Sequence, residues 1–322
     1  MESVASAAPA SVENGCSSSA ACSSDEEMRK LLKPNPCEDD IVKVLHGSYV
    51  LESSGSCGNV RVCKQLESYD DCNYLVEINE CQYILKVHNG VESDAYINSK
   101  KKNQGSSGSH IELMKKMFTH LNKPEFRVKT SLPVPPCSRQ DDSESSSIHE
   151  LPVVSKEHSP RDLVVTLLEY VPGIPLCNCP SVCVETIADA GRYLGRVCTA
   201  LDDLAASDDR AVAMAKRFHA WDGQHTPDIQ KFLPYIEDPK RRQMVQSVID
   251  TFTESFVKNT DNVKAFRNGI LQGDFNDANI LLLNTKDYQQ QISGVIDFGD
   301  STYRYVPSFT NHNQNTRKSP DD

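Results

Sequence analysis

The chain has 322 residues, of which 38% are hydrophobic, and its formal net charge at pH 7 is −11. This length suits one two-lobed domain or two small domains, with enough apolar residues for a sizeable core. The negative charge argues against nucleic acid and against an anionic membrane surface as partners. No apolar run is long enough to cross a bilayer. The chain carries no secretory or transit-peptide pattern, and its 12 cysteines are scattered, so we expect reduced thiols in a cytoplasmic protein.

The first half of the chain is predicted to form a strand-rich N-lobe over residues 37–170. Residues 1–36 are rich in Ser, Ala and acidic residues and are predicted to be a disordered tail. A second polar segment, 133–160, is predicted to be a disordered insertion. Periodicity within the N-lobe predicts the following elements. They are strands at 60–66, 74–78, 82–87, 126–128 and 163–170, with a helix at about 109–121.

The second half is predicted to form a helical C-lobe over residues 171–305. A helix at 184–204 should turn inward the apolar residues Ile187, Leu194, Val197, Leu201 and Leu204. Asp238-Pro239 is a good start for a helix that runs to about residue 258, with Val245, Ile249, Phe252 and Phe256 inward. Apolar runs at 280–283 and 294–296 are predicted to pair as strands. Residues 306–322 are polar and are predicted to be a disordered tail.

Two short apolar runs are each followed by a carboxylate. Asp274 follows the run that ends at Leu271, Asp297 follows the run 294–296, and Asn279 comes five positions after Asp274. Phosphoryl transfer in kinase-like folds uses one Asp to accept the hydroxyl proton, and an Asn and a second Asp to hold Mg²⁺. Either carboxylate alone would be read as a turn residue. Both together, with Asn279 in phase, favour a phosphoryl-transfer centre.

Three strings carry a family resemblance: Gln272-Gly-Asp-Phe-Asn-Asp-Ala-Asn-Ile-Leu, Gly294-Val-Ile-Asp-Phe-Gly-Asp and Ser68-Tyr-Asp-Asp-Cys-Asn-Tyr-Leu-Val. Over about residues 40–305 the chain resembles the aminoglycoside phosphotransferase and choline kinase-like superfamily, and within it the hydroxylysine kinases. The resemblance implies an α+β, two-lobed, protein-kinase-like fold. It also implies Mg²⁺-dependent transfer of the γ-phosphate of GTP, or ATP, to 5-hydroxy-L-lysine, a small amino-alcohol. One departure is Gln272, where the family usually has His.

The nucleotide side of the cleft is expected in the N-lobe. Lys86 lies on the third strand, and in kinase-like folds this Lys holds phosphates while a helix Glu, here Glu112, orients it. The alternative is an exposed strand lysine and an exposed helix glutamate. The phosphate-covering loop is predicted at Ser68 to Asn73, in preference to Gly55-Ser-Cys-Gly58. Asp70 and Asp71 have no predicted role. Backbone groups near Glu169 to Val171 are expected to bind the base at the hinge.

Other functions stay open from the sequence. In the resembled superfamily the chain continues past the second metal Asp into helices that complete the C-lobe. We therefore expect an incomplete C-lobe, with uncovered apolar faces on the helices at 184–204 and 238–258. A catalytically weak or dead kinase-like binding protein is one alternative, and a choline- or aminoglycoside-type phosphotransferase is another. A protein kinase is disfavoured because no Ala-Pro-Glu segment follows Asp297.

Overall fold

The computed structural model describes residues 27–50, 58–101, 108–137, 151–154, 161–219, 222–259, 266–284 and 290–306. Residues 1–26 of the tail predicted at 1–36, residues 307–322 of the tail predicted at 306–322, and most of the predicted insertion lie outside these ranges. Within them, no helix combines the length and apolarity needed to span a membrane.

The N-lobe is built on a five-stranded antiparallel sheet in the order β1-β2-β3-β5-β4. The strands are β1 Val60–Leu66, β2 Cys72–Ile78, β3 Cys81–Val87, β4 Val153–Val154 and β5 Leu163–Glu169. Asn79 and Glu80 join β2 to β3 with positive φ angles of 49° and 66°, as expected of a two-residue hairpin turn. Strand β5 is buried along almost its whole length, which fits its place between β3 and β4.

Helices cover both faces of this sheet. Helix α1, Glu38–Tyr49, packs Ile41 and Leu45 against one face. Helices α2, Gly90–Lys101, and α3, His110–Leu121, belong to the other side. The apolar face of α3 enters the larger core, which it shares with the C-lobe. The sheet is therefore covered on both sides. Asp71 and Lys86 of the cleft lie at the end of the sheet where β2 begins and β3 ends.

The C-lobe contains helices α4 Val184–Ser207, α5 Asp209–Ala215 and α6 Pro239–Phe252, and α6 continues as a π-helical turn over Thr253–Val257. Two small sheets follow. Strands β6 Ile174–Pro175, β8 Ile280–Asn284 and β9 Gln290–Val295 form one, and β7 Arg267–Leu271 pairs with β10 Thr302–Val306 in the other. These pairings bring segments 272–279 and 296–301 together at the base of the cleft.

Several predicted elements differ from the structure. The strand predicted at 126–128 is wrong: Pro124–Phe126 is a 3₁₀ turn, which ends where Arg127 takes a left-handed φ of 53°. Ile187 is 54% exposed rather than inward, because Thr186 and Ala190 are the buried residues of this part of α4. Helices α1 and α2 were not predicted, and neither was the β7–β10 pair.

Two segments predicted to be disordered contribute in part to the N-lobe. Residues 27–31 are helical, and the buried Sγ of Cys72 donates to the carbonyl of Pro34 at 3.0 Å. In the predicted insertion, Leu151 and Val154 are buried, and β4 pairs with β5. Apolar anchors such as Val154 distinguish these short stretches from their polar surroundings.

Candidate active site

The candidate catalytic segment begins where β7 ends. Gly273 has a φ of +92°, and a Cβ atom there would lie 2.3 Å from the backbone oxygen of Asp300. Only glycine accepts this backbone conformation and this close approach without strain. The turn that carries Asp274 is therefore packed directly against the segment that follows Asp297.

Asp274 and Asn279, predicted to act together, are in direct contact. The Nδ2 of Asn279 donates to the Asp274 carboxylate Oδ2 at 2.9 Å and to its backbone carbonyl at 3.0 Å. The Nδ2 of Asn276 donates to the other carboxylate oxygen at 2.7 Å. These bonds fix the orientation of the carboxylate. Because both bonds from Asn279 use its nitrogen, its carbonyl oxygen is the atom that could ligate a cation.

Asp297 follows β9 in a left-handed conformation, with φ of +56°. Its Oδ1 accepts a hydrogen bond from the Gly299 backbone N–H at 3.0 Å. Positive φ in a residue other than glycine is uncommon and is tolerated best by Asp and Asn. The carboxylate lines the same cavity as that of Asp274. The two predicted carboxylates therefore face one cleft.

Gln272 connects the two carboxylate segments. It is 3% exposed, its Oε1 accepts from the Asp274 backbone N–H at 2.8 Å, and its Nε2 donates to the carbonyl of Asp297. Ser301 Oγ donates to the Gln272 carbonyl at 3.2 Å. The residue that departs from the resembled family pattern thus makes the hydrogen bonds that hold the site together.

The predicted ion pair between Lys86 and Glu112 is wrong. The Nζ of Lys86 lies 2.6 Å from Oδ2 of Asp71, a residue to which the sequence assigned no role. Burial on its own lowers the pKa of Lys86, but the charges of Asp71 and Asp297 outweigh it and raise that pKa. Lys86 is therefore a charged lysine in the candidate cleft, as predicted, with a different partner.

Glu112 serves the start of helix α3 instead. Its Oε2 accepts from the Ser109 backbone N–H at 2.9 Å, and Ser109 Oγ accepts from the Glu112 N–H at 3.3 Å, which is a capping box. Its Oε1 is 2.6 Å from the Nζ of Lys100. This reciprocal cap turns the Glu112 side chain toward its own helix terminus and away from β3.

Glu92 of helix α2 is a cleft carboxylate that the sequence did not reveal. Its Oε1 accepts from Arg29 at 2.8 Å and lies 3.4 Å from Arg217. Arg217 also donates to the carbonyls of Gly299 and Ser301, just beyond Asp297. Helix α2 has almost no amphipathic periodicity, so no pattern singled out Glu92. Together these residues link the N-lobe to the candidate metal segment.

The structure also shows where the predicted phosphate-covering loop and the predicted hinge lie. Cys72 and Asn73 belong to β2, so the connection between β1 and β2 is shorter than the predicted loop, and it begins at residue 67. The carbonyl of Ser68 accepts from Lys33 Nζ at 2.8 Å. At the hinge, Glu169 ends β5 and contacts Lys129 at 3.1 Å, while Val171 is buried.

The segments of Asp274 and Asp297, together with Lys86 and part of the β1–β2 connection, line a cavity of about 340 Å³. The hinge residues Glu169 and Val171 are not among its lining residues. Its charged lining residues are Arg29, Asp70, Asp71, Lys86, Glu92, Arg217, Asp274, Asp297 and Asp300. His88 and His110 also line it. Burial, with other charges contributing less, lowers the pKa of His88 to about 4 and that of His110 to about 3. Both imidazoles are therefore neutral near pH 7.

Residues 62–306 match the phosphotransferase enzyme family. The chain belongs to this family. The matched segment starts in β1 and ends with β10, so this phosphotransferase domain includes all the cleft residues described above except Arg29. The α+β, two-lobed, kinase-like fold predicted from the sequence is confirmed.

Individual relatives agree with this assignment. The chain is 24% identical over 244 residues to hydroxylysine kinase of Bos taurus, a match that covers 74% of this chain and 60% of the bovine protein. It is 24% identical over 274 residues to hydroxylysine kinase of Danio rerio, covering 85% of this chain and 68% of that protein. Among solved structures, the microcompartment-associated aminopropanol kinase matches with a TM-score of 0.52 and 19% identity, over 83% of this chain and 71% of that chain.

The oxygen atoms of the candidate site fit a hard divalent cation. Mg²⁺ is usually held by one or two protein oxygens and completes its shell with phosphate oxygens and water. Asp297 and Asn279 would supply one carboxylate and one amide oxygen, which matches that requirement. In the described ranges no group of three or more His, Cys, Asp or Glu side chains is arranged to hold a metal.

Proposed function

We propose that this chain is a Mg²⁺-dependent small-molecule kinase that transfers the γ-phosphoryl group of GTP, or of ATP, to the hydroxyl of 5-hydroxy-L-lysine. The observation that carries the proposal is the joined set of Asp274, Asn279 and Asp297, held by Gln272 at the base of a cleft that also contains Lys86. This set contains the groups that phosphoryl transfer needs.

Each residue would have a distinct role. Asp274 would accept or orient the proton of the attacking hydroxyl, and the bonds from Asn276 and Asn279 would keep its carboxylate in one orientation. Asn279 and Asp297 would hold Mg²⁺, which when bound neutralises charge on the phosphate oxygens. Lys86 would contact the donor phosphates. Most of the catalytic effect would then come from positioning and charge compensation.

The charge of the cleft supports an amino-alcohol acceptor. Six carboxylates line the cavity, at positions 70, 71, 92, 274, 297 and 300, against three Lys or Arg side chains, at positions 29, 86 and 217. This excess would attract a cationic substrate and favour its ammonium groups. The hydroxylysine kinases among the relatives suggest which amino-alcohol it is. The resemblance to hydroxylysine kinases favours GTP as the donor. Backbone groups near Glu169 to Val171 would bind its guanine base.

We place this reaction in the cytoplasm. The described part of the chain contains nine cysteines, and all are free thiols. Free thiols in this number are typical of a reducing compartment. A cytoplasmic location also provides the nucleoside triphosphate that the proposed reaction consumes.

Nucleotide consumption by the purified chain tests the proposal. Hydroxylysine, lysine, choline and an aminoglycoside are offered separately, each with GTP or ATP, with Mg²⁺ or with excess chelator. We expect Mg²⁺-dependent consumption with hydroxylysine, and none above background with lysine, which lacks the hydroxyl. Preference for choline or the aminoglycoside would contradict the proposal that hydroxylysine is the acceptor. Nucleotide binding without turnover on any acceptor would indicate a kinase-like binding protein.

A further inference from the structure

Asp71 is held at both of its carboxylate oxygens. Its Oδ2 lies 2.6 Å from Lys86 Nζ, and its Oδ1 accepts from the Asn89 backbone N–H at 2.7 Å. The side chains of Asp71 and Lys86 are only 17% and 16% exposed. The carboxylate therefore bridges strand β3 and the segment that leads into helix α2.

Asn89 makes this bridge rigid. It is fully buried, and its Oδ1 accepts from the Val91 N–H at 3.0 Å at the start of α2. Its Nδ2 donates to the carbonyl of Asp70 at 3.1 Å and to that of Arg29 at 2.8 Å. These three hydrogen bonds of the Asn89 side chain hold the backbone next to Asp71 in place. The side chain of Asp71 has a defined position, unlike that of a free loop carboxylate.

We propose that Asp71 is the positioning residue for Lys86, in the role that kinase-like folds usually give to a helix glutamate. The inference rests on the proposed function, because it assumes that Lys86 contacts donor phosphates. A lysine ammonium has three donors. One bond to Asp71 fixes the ammonium and leaves two donors for phosphate oxygens. A buried lysine without a carboxylate partner would tend to lose its charge.

The other nearby carboxylates are engaged elsewhere. Glu112 caps its own helix, and Glu92 bonds Arg29 and lies close to Arg217. Asp297 influences Lys86 through its charge, while its Oδ1 accepts from Gly299. Within the ranges that the structure describes, Asp71 is the carboxylate that forms an ion pair with Lys86.

An opposite role for Asp71 gives an opposite result. If the Asp71 carboxylate only competed with phosphates for the Lys86 ammonium, removing the charge of Asp71 would strengthen nucleotide binding. If Asp71 positions Lys86, removing its charge weakens binding. The bond from the Asn89 N–H favours the second role, because displacing the carboxylate would leave that N–H to find a new acceptor.

The experiment compares Asp71→Asn with Glu77→Gln by nucleotide titration in a calorimeter, with steady-state kinetics alongside. Glu77 pairs with Arg61 at 2.8 Å on the same sheet, away from the cleft, and serves as the matched control. Asp71→Asn keeps the side-chain shape and an acceptor for Asn89. We expect nucleotide affinity to fall about tenfold or more, as for loss of a charge-assisted hydrogen bond. Glu77→Gln should stay within about twofold of the wild-type affinity.

Lys86→Met separates positioning from a general structural effect. In the Lys86→Met background, Asp71→Asn should cause no further loss of affinity, since the positioned group is absent. Asp71→Glu, which keeps the charge, should recover part of the affinity, and thermal melting checks that each variant is folded. Tighter binding by Asp71→Asn, or the same loss with and without Lys86, would overturn the inference alone. A wild-type chain that binds no nucleotide would overturn the proposed function as well.

Discussion

Gln272 and Asp274 are joined by a hydrogen bond in which the Asp274 backbone N–H donates to the Gln272 side-chain oxygen at 2.8 Å. The nitrogen of the same amide donates to the carbonyl of Asp297. One buried side chain therefore sets the distance between the proposed base and the proposed metal ligand. A neutral histidine also offers one donor and one acceptor, so Gln and His can both make this bridge.

Gln272→His should therefore retain activity, whereas Gln272→Leu should not. Leucine leaves the Asp274 N–H and the Asp297 carbonyl without their partner in a buried place, at a cost of about 1–3 kcal/mol for each unpaired group. Melting temperature and kcat, measured for both variants, check this. A leucine variant with wild-type stability and kcat would show that the bridge is dispensable.

Asp297→Asn should separate the metal role of Asp297 from its backbone role. Asparagine tolerates the left-handed φ of +56° and can still accept from the Gly299 N–H, so folding should be preserved. The loss of one negative charge should weaken binding of Mg²⁺ with nucleotide, by about tenfold or more. Calorimetric titration with and without Mg²⁺ measures this. Equal affinities for wild type and variant in the presence of Mg²⁺ would remove Asp297 from the metal site.

Glu112→Ala should destabilise the protein and leave nucleotide affinity unchanged. The capping box with Ser109 predicts a loss of about 1 kcal/mol in the free energy of unfolding. Denaturant unfolding measures the first effect and nucleotide titration the second. A large loss of nucleotide affinity with unchanged stability would restore the pair with Lys86 that the sequence suggested.

His88 predicts a loss of stability in weak acid. Burial is the main cause that lowers its pKa to about 4, with the Lys86 charge acting in the same direction and the Asp71 charge opposing it. The unfolded chain takes up this proton below about pH 6.5, and the folded chain only near pH 4, so stability falls as the pH drops through this interval.

Between about pH 7 and about pH 5 this residue accounts for roughly 2 kcal/mol. His88→Gln, which can keep the contact of 2.9 Å to Thr166 Oγ1, should show a correspondingly smaller loss of stability over this interval. Denaturant unfolding at both pH values tests this. Parallel losses in the wild type and the variant would exclude His88 as the source.

Sequence patterns predicted strands β1, β2, β3 and β5 and helices α3, α4 and α6 with bounds close to those observed. Strand β4 and helix α5 were not predicted. Strand β1 has the bounds predicted for it. Asp274 and Asp297 were predicted as site residues from their positions after apolar strands, and Asn279 from its spacing to Asp274. Helix α2 escaped prediction because few of its residues follow an amphipathic pattern. Its carboxylate Glu92 was missed with it.

The partner of Lys86 could not be predicted from the chain order of strand, lysine, helix and glutamate. That order is compatible with Glu112, but the side-chain direction depends on the local cap at Ser109, which competes for the same carboxylate. Asp71 reaches Lys86 because Asn73, two residues later, is the cross-strand neighbour of Lys86. Strand register, which the sequence specifies only weakly, decided the pairing.

The most direct measurement is single-turnover transfer of labelled γ-phosphate from GTP to 5-hydroxy-L-lysine by the wild-type chain and by Asp274→Asn. Nucleotide affinity is measured on the same samples. Asp274 touches Asn276 and Asn279 through its carboxylate, and asparagine preserves its shape. We predict transfer by the wild type and a fall of about 10²- to 10⁴-fold in the variant, with nearly unchanged nucleotide affinity. Transfer by Asp274→Asn at most of the wild-type rate, or no transfer by the wild type, would contradict the proposed catalytic centre.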